Sequence, residues 1–179
     1  MADSTFEESF ANWSDYMDAI RDQSELGRTL ITASFLDSQL ERIIRSFMVE
    51  DRLHKDIFEG PTSPLGSFSS KINMAHAMGL IDDQEYRTLH AIRAIRNELA
   101  HNMKTTIGDL RAKGKLDNLA WAIGADAVGK HDHFEVFMLG AQRTIMALLN
   151  RADHVRGERR QPKEWPHERT DADPDWTPY

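Results

Sequence analysis

The chain has no cysteine among its 179 residues. That excludes a disulfide framework and thiolate chemistry, and it accords with a reducing cytosol. No apolar run approaches the length of about 18 residues that a membrane-spanning helix needs, so no membrane partner is expected. The opening stretch, MADSTFEESF, is acidic rather than basic and then apolar, so no secretory leader is expected. Positive charge is in deficit: 22 Lys and Arg stand against 29 Asp and Glu, a net charge of −7. Proteins that grip nucleic acid over a whole surface are usually basic. Contact with nucleic acid would therefore need a local patch, and no recognition motif for it can be read. Proline is scarce in the body of the chain, since four of the six lie beyond residue 160. Period-two alternation, the mark of strands, is missing over any useful length.

What is there is helical periodicity in a chain long enough for one well-packed domain, with 40% apolar residues. Phe6, Phe10, Trp13, Met17 and Ile20 repeat at helical spacing and predict a first helix with one stripe on the core. A second, longer helix is expected from Ser24 or Glu25 to about Glu50, and a short one over Asp51–Phe58. Gly60, Pro61, Pro64 and Gly66 then break the pattern. They form no phosphate loop, because no strand precedes them and the terminal Lys-Ser/Thr pair is missing. A short helix through Ile72 and Ala75 ends at a Gly-Leu-Ile-Asp turn. Residues 104–130 read as a partly helical excursion. His131, Asp132 and His133 are too crowded to share a metal ion, and a cap by Asp132 is the better reading. No metal and no cofactor are expected. A final helix runs from Phe134 to about Arg156. Residues 157–179 read as a Pro-rich tail without its own core, with a solvent-facing basic run at Arg159, Arg160 and Lys163. The expected architecture is all-α: one helical bundle of about five main helices over residues 1–156.

The chain is organised around Asp83–Asn102. Leu89, Ile92, Ile95 and Leu99 make one apolar face, and Asp82 or Asp83 caps the start. The other face is polar: His90, Arg93, Asn97 and His101, with Arg96 at its edge. Arg93, Asn97 and His101 fall within roughly 80° of one another on an ideal helix, whereas Arg96 and His101 lie roughly 140° apart. The preceding long helix carries Asp37 and Glu41 beside its apolar stripe. Such acids are rarely buried unless paired. Two readings stand: an exposed edge with Glu41 bonded to Arg45, or acids that receive Arg96, Asn97 or Lys71 from a neighbouring helix. The candidate polar network is Asp37, Glu41, Lys71 and Arg93.

Four elements occur in order: Asp37, Leu40 and Glu41; Phe68, Ser69, Lys71 and Ile72; Gly79 to Asp82; and Ile92, Arg93, Arg96, Asn97, Ala100 and His101. Over roughly Leu30 to Asn102 the sequence resembles the mannitol operon repressor (MltR) family. The resemblance implies a transcriptional repressor or co-regulator acting mainly through protein–protein contacts. The same helix is similar to that of the wider HEPN group of helical domains, whose Arg-(x)4–6-His marker is met in its shortest form by Arg96 and His101, with the polar Asn97 after the arginine. This implies an alternative, a metal-independent endoribonuclease of toxin or defence type. Arg96, Asn97 and His101 would then be catalytic, with His101 moving a proton and Arg96 holding the phosphate. Both resemblances favour a homodimer, and with no cysteine, leader or span read from the sequence the expected location is cytoplasmic.

Overall fold

The computed structural model describes residues 2–50, 54–60, 62–102, 104–112, 114–124 and 130–165, with the backbone alone at 2–9, 54, 111–112 and 120–122. Among the described residues there is no strand. The helices are α1 (Ala2–Ile20), α2 (Glu25–Phe47), α3 (His54–Phe58), α4 (Phe68–Ala77), α5 (Asp83–His101), α6 (Ile107–Ala112), α7 (Asp117–Ile123), α8 (His133–Leu148) and α9 (Arg151–Arg156). None is long and apolar enough to cross a membrane.

The bundle is centred on α2, which packs against α1, α4, α5, α8 and α9. Its stripe of Leu36, Leu40, Ile43 and Ile44 is fully buried, and it meets Leu89, Ile92 and Ile95 of α5 and Phe137, Ala141 and Ile145 of α8. Burying each large apolar side chain contributes about 1.5–3 kcal/mol. The α1 stripe meets the core as expected at Trp13, Met17 and Ile20, but Phe10 is 63% exposed and Tyr16, outside that stripe, is buried. The Tyr16 hydroxyl has a partner there, Thr32 Oγ1 at 3.0 Å, so the ring enters the core without stranding its polar end. Phe6 lies outside the described side chains.

The turns that aim α4 and α5 follow from local chemistry. Ser67 caps α4, accepting from the Ser70 amide while the Ser70 hydroxyl accepts from the Ser67 amide. The helix ends at Gly79, whose φ of +70° is cheap only for glycine. The Gly79 amide donates to His76 O (2.9 Å) and the Leu80 amide to Ala75 O (2.8 Å), a Schellman closure with buried Leu80 as its apolar contact. Two residues later Asp82 caps α5 in a reciprocal pair with Glu85.

The final helix differs from its expected single run. It breaks between Leu148 and Arg151, with Asn150 in a non-helical conformation. Asparagine competes poorly for helix interiors. The break turns Arg151 toward α5, where it donates to Leu80 O and to both Glu85 oxygens, at 2.6 and 2.8 Å. Asp132 caps α8 with Glu135, and His131 bonds Glu135 rather than joining a metal cluster. Within the excursion, α6 and α7 bury Leu110, Leu116 and Leu119. Arg159, expected to face solvent, instead donates to Ser46 O (3.1 Å), and the Arg160 amide donates to Phe47 O (2.8 Å). The C-terminal segment is thus tied to the end of α2. Trp165 is 66% exposed; residues 166–179 lie outside the described residues.

A close crossing of α7 and α8 depends on Gly140. A Cβ there would meet Leu119 Cβ at 2.8 Å and Leu119 O at 3.1 Å. Gly140→Ala is therefore expected to cost about 1–3 kcal/mol by overpacking, despite the better helix propensity of alanine. A thermal melt reads this as a lowered midpoint; an unchanged or raised midpoint would mean that α7 gives way.

Candidate functional site: the polar centre between α2, α4 and α5

Lys71 is placed one turn into α4 by the Ser67 cap and is 4% exposed. Its Nζ lies 3.1 Å from Asp37 Oδ1 and 2.8 Å from Glu41 Oε2, two acids one turn apart on α2. Glu41 also accepts from Arg45 Nε at 2.9 Å. Both sequence readings of Glu41 hold at once: it pairs along its own helix and across to α4. The Lys71–Asp37 contact is close but oblique, since Asp37 Oδ1 is buried and lacks an aligned hydrogen bond. It is an ion pair held by charge rather than by a well-directed bond.

The two carboxyls respond in opposite directions. Burial pushes the Asp37 carboxyl above its ordinary value, against the pull of Lys71 and, more weakly, Arg96. Burial also acts upward on Glu41, but the bonds from Lys71 and Arg45 outweigh it and hold that carboxyl below its ordinary value. The stability from Glu41 is therefore present above its ordinary value of 4.5 and is lost as pH falls through the lower folded value. For Asp37 the sign reverses: its contribution is largest in acid and declines as pH rises from 3.8 through the raised folded value. Glu41→Gln is expected to cost about 1.5 kcal/mol at neutral pH and to flatten acid unfolding. Asp37→Asn is expected to cost less than about 1 kcal/mol. Urea titrations at pH 4 and pH 7 measure both; equal losses from the two substitutions would contradict the asymmetry.

The α5 residues do not join this ion pair. Arg93 Nε donates to His90 Nδ1 (3.4 Å), and His90 Nε2 lies 3.1 Å from Asn73 Oδ1. The amide oxygen can only accept, so the His90 proton sits on Nε2 and the ring is neutral. Burial, then the charge of Arg93, lowers the His90 pKa and favours the same state. Arg96 is exposed and donates to Asn97 Oδ1 at 3.0 Å. Arg93 and Arg96 make no ion pair with an acid among the described residues. Arg93, Arg96 and Asn97 line a cleft of about 170 Å³ with Asp37, Ser34 and Phe68. His101 is exposed at the last turn of α5 and does not line it. Five residues of helix set it about 7.5 Å along the axis and roughly 140° around from Arg96.

The sequence brought Asp37, Glu41 and Lys71 together correctly. It also placed Arg96 and Asn97 near Asp37, but not as its bonding partners. It missed Ser34, whose signal is helical register one turn before Asp37, and it named Phe68 beside Lys71 without giving it a place in the site. Among the described residues no group of three His, Asp or Glu is placed to hold a metal ion. Compared with protein-family models, curated proteins and solved structures, the chain matches none of them.

Proposed function

We propose that this chain is a non-catalytic regulatory protein of the mannitol operon repressor type, working in the cytoplasm as a homodimer. It acts through protein–protein contacts rather than through a DNA-reading motif. Its recognition surface is the cationic edge of α5. One observation carries this reading: Arg96 and Asn97 share a cleft with Asp37, while His101 does not line it, so within one chain the arginine and histidine of the ribonuclease marker stay apart. Arg96 without His101 beside it can hold an anion but lacks the histidine that the ribonuclease chemistry uses to move a proton.

The endoribonuclease reading requires two copies of α5 to bring the Arg96 of one to the His101 of the other. Purified protein incubated with single-stranded and structured RNA decides between them, beside Arg96→Ala and His101→Ala. The expected result is no cleavage above buffer by any of the three. Cleavage by the parent that both folded variants lose would overturn the regulatory reading.

A further inference from the structure

Two arginine-lined depressions lie on α2, and their difference is informative. The larger, about 500 Å³, includes Arg42, Arg45 and Arg159. Each of these is already engaged by an acid: Arg45 by Glu41 at 2.8 Å, Arg42 by Asp153 at 3.5 Å, and Arg159 by Glu50 at 2.7 Å. Their charge is spent within the fold. In the smaller cleft the reverse holds. Arg93 is fixed only through Nε, leaving its terminal nitrogens without a hydrogen bond among the described residues, and Arg96 makes a single bond to a neutral amide. Two guanidiniums spaced one turn apart on a helix repel each other unless something negative lies between them.

We infer that the α2–α5 cleft is a binding site for a small hydroxylated oxyanion, a phosphate ester or carboxylate of a few carbons that carries a neighbouring hydroxyl. The anionic head sits between Arg93 and Arg96, where guanidinium forks match the oxygen spacing of either group. Arg96 engages Asn97 Oδ1 and so fixes the amide, whose Nδ2 donates to the same head. Asp37 and Ser34 face it across the cleft. One Asp37 oxygen is buried against Lys71, yet its side chain stays 32% exposed, an acceptor for the ligand hydroxyl. A bare anion would meet this carboxylate as a like charge; a hydroxyl donor converts the repulsion into a hydrogen bond. Phe68 gives the carbon chain an apolar wall. At about 170 Å³ the space is below the range of about 300–1,000 Å³ typical of larger ligands, which confines the occupant to a small molecule. The inference rests on the regulatory reading: occupancy neutralises the α5 edge and so changes what that surface recognises.

The test is calorimetric titration of the whole protein, in low salt, with glycerol phosphate, glycerate, inorganic phosphate and glycerol. Saturable binding is expected for glycerol phosphate or glycerate, and the tighter of the two identifies the source of the anion. Inorganic phosphate binds more weakly, and glycerol does not bind. Arg96→Ala, which removes one hydrogen bond to a neighbouring side chain and keeps its melting midpoint, weakens binding about tenfold or more. Absence of binding, equal affinity for inorganic phosphate, or unchanged affinity in Arg96→Ala would overturn the inference. Failure here in a protein that also leaves RNA intact removes the inference alone, whereas RNA cleavage removes the regulatory reading beneath it.

Discussion

Replacing Lys71 by methionine is expected to destabilise the protein by about 3 kcal/mol, the range found when one partner of a buried ion pair is removed. The side chain keeps its volume, so the loss is electrostatic. Asp37 and Glu41 would face each other across one helical turn without their shared cation, at 32% and 27% exposure. That partial exposure keeps the figure at the low end of the range. For a domain of this size the melting midpoint falls by about 6–12 °C. The pH dependence carries a further sign. Without the cation the Asp37 carboxyl loses the main pull that opposes its upward shift, and Glu41 is held down by Arg45 alone. The variant therefore recovers stability in acid and loses it as pH rises through the raised Asp37 value. Adding Asp37→Asn and Glu41→Gln to Lys71→Met restores most of the loss, because no buried carboxylate then lacks its cation, and Arg45, which loses Glu41, is 30% exposed and keeps Glu59 at 3.8 Å. Failure of that triple variant to recover would assign the loss to packing.

Arg151→Met ranks second, at about 2–3 kcal/mol. Arg151 makes a two-pronged contact with Glu85 and reaches Leu80 O. Glu85 also accepts from the Asp82 amide at 3.0 Å, so one carboxylate closes the cap of α5 and fastens α9 to it. Its side chain is only 14% exposed, and losing Arg151 leaves that charge poorly compensated. Glu85→Gln keeps the capping acceptor and costs less, since the charge is removed along with the need for it. Chemical denaturation orders the two variants; a larger loss from Glu85→Gln would refute the shared role.

The all-α class was legible because long helices leave a strong period. The stripes of α2 and α5 lie on their buried faces as the spacing implies, and the capping residues Ser24, Ser67, Asp82 and Asp132 declare themselves by chemistry. Phe10 misled, since one apolar residue at helical spacing cannot say which side of a short stripe faces inward, and Tyr16 took the place because Thr32 satisfied its hydroxyl. The break at Asn150 was hidden because a single asparagine is a weak signal, and the partners that Arg151 meets beyond it, Glu85 and Leu80, lie more than sixty residues earlier. Of the polar centre, residue types and acids were legible, but the choice of Lys71 over Arg96 was not. That choice depends on which side chain reaches the α2 acids from its own helix. Lys71 enters from α4, directly over them; Arg96 leaves α5 at the solvent edge, toward Asn97.

The central claim is a division of labour: Lys71 holds the helices together, and Arg96 leaves its charge available to a ligand or partner. Parallel urea titrations of Lys71→Met and Arg96→Ala test it most directly. Lys71→Met is expected to lose about 3 kcal/mol and Arg96→Ala to stay within about 0.5 kcal/mol of the parent. A large loss from Arg96→Ala with little from Lys71→Met would contradict it.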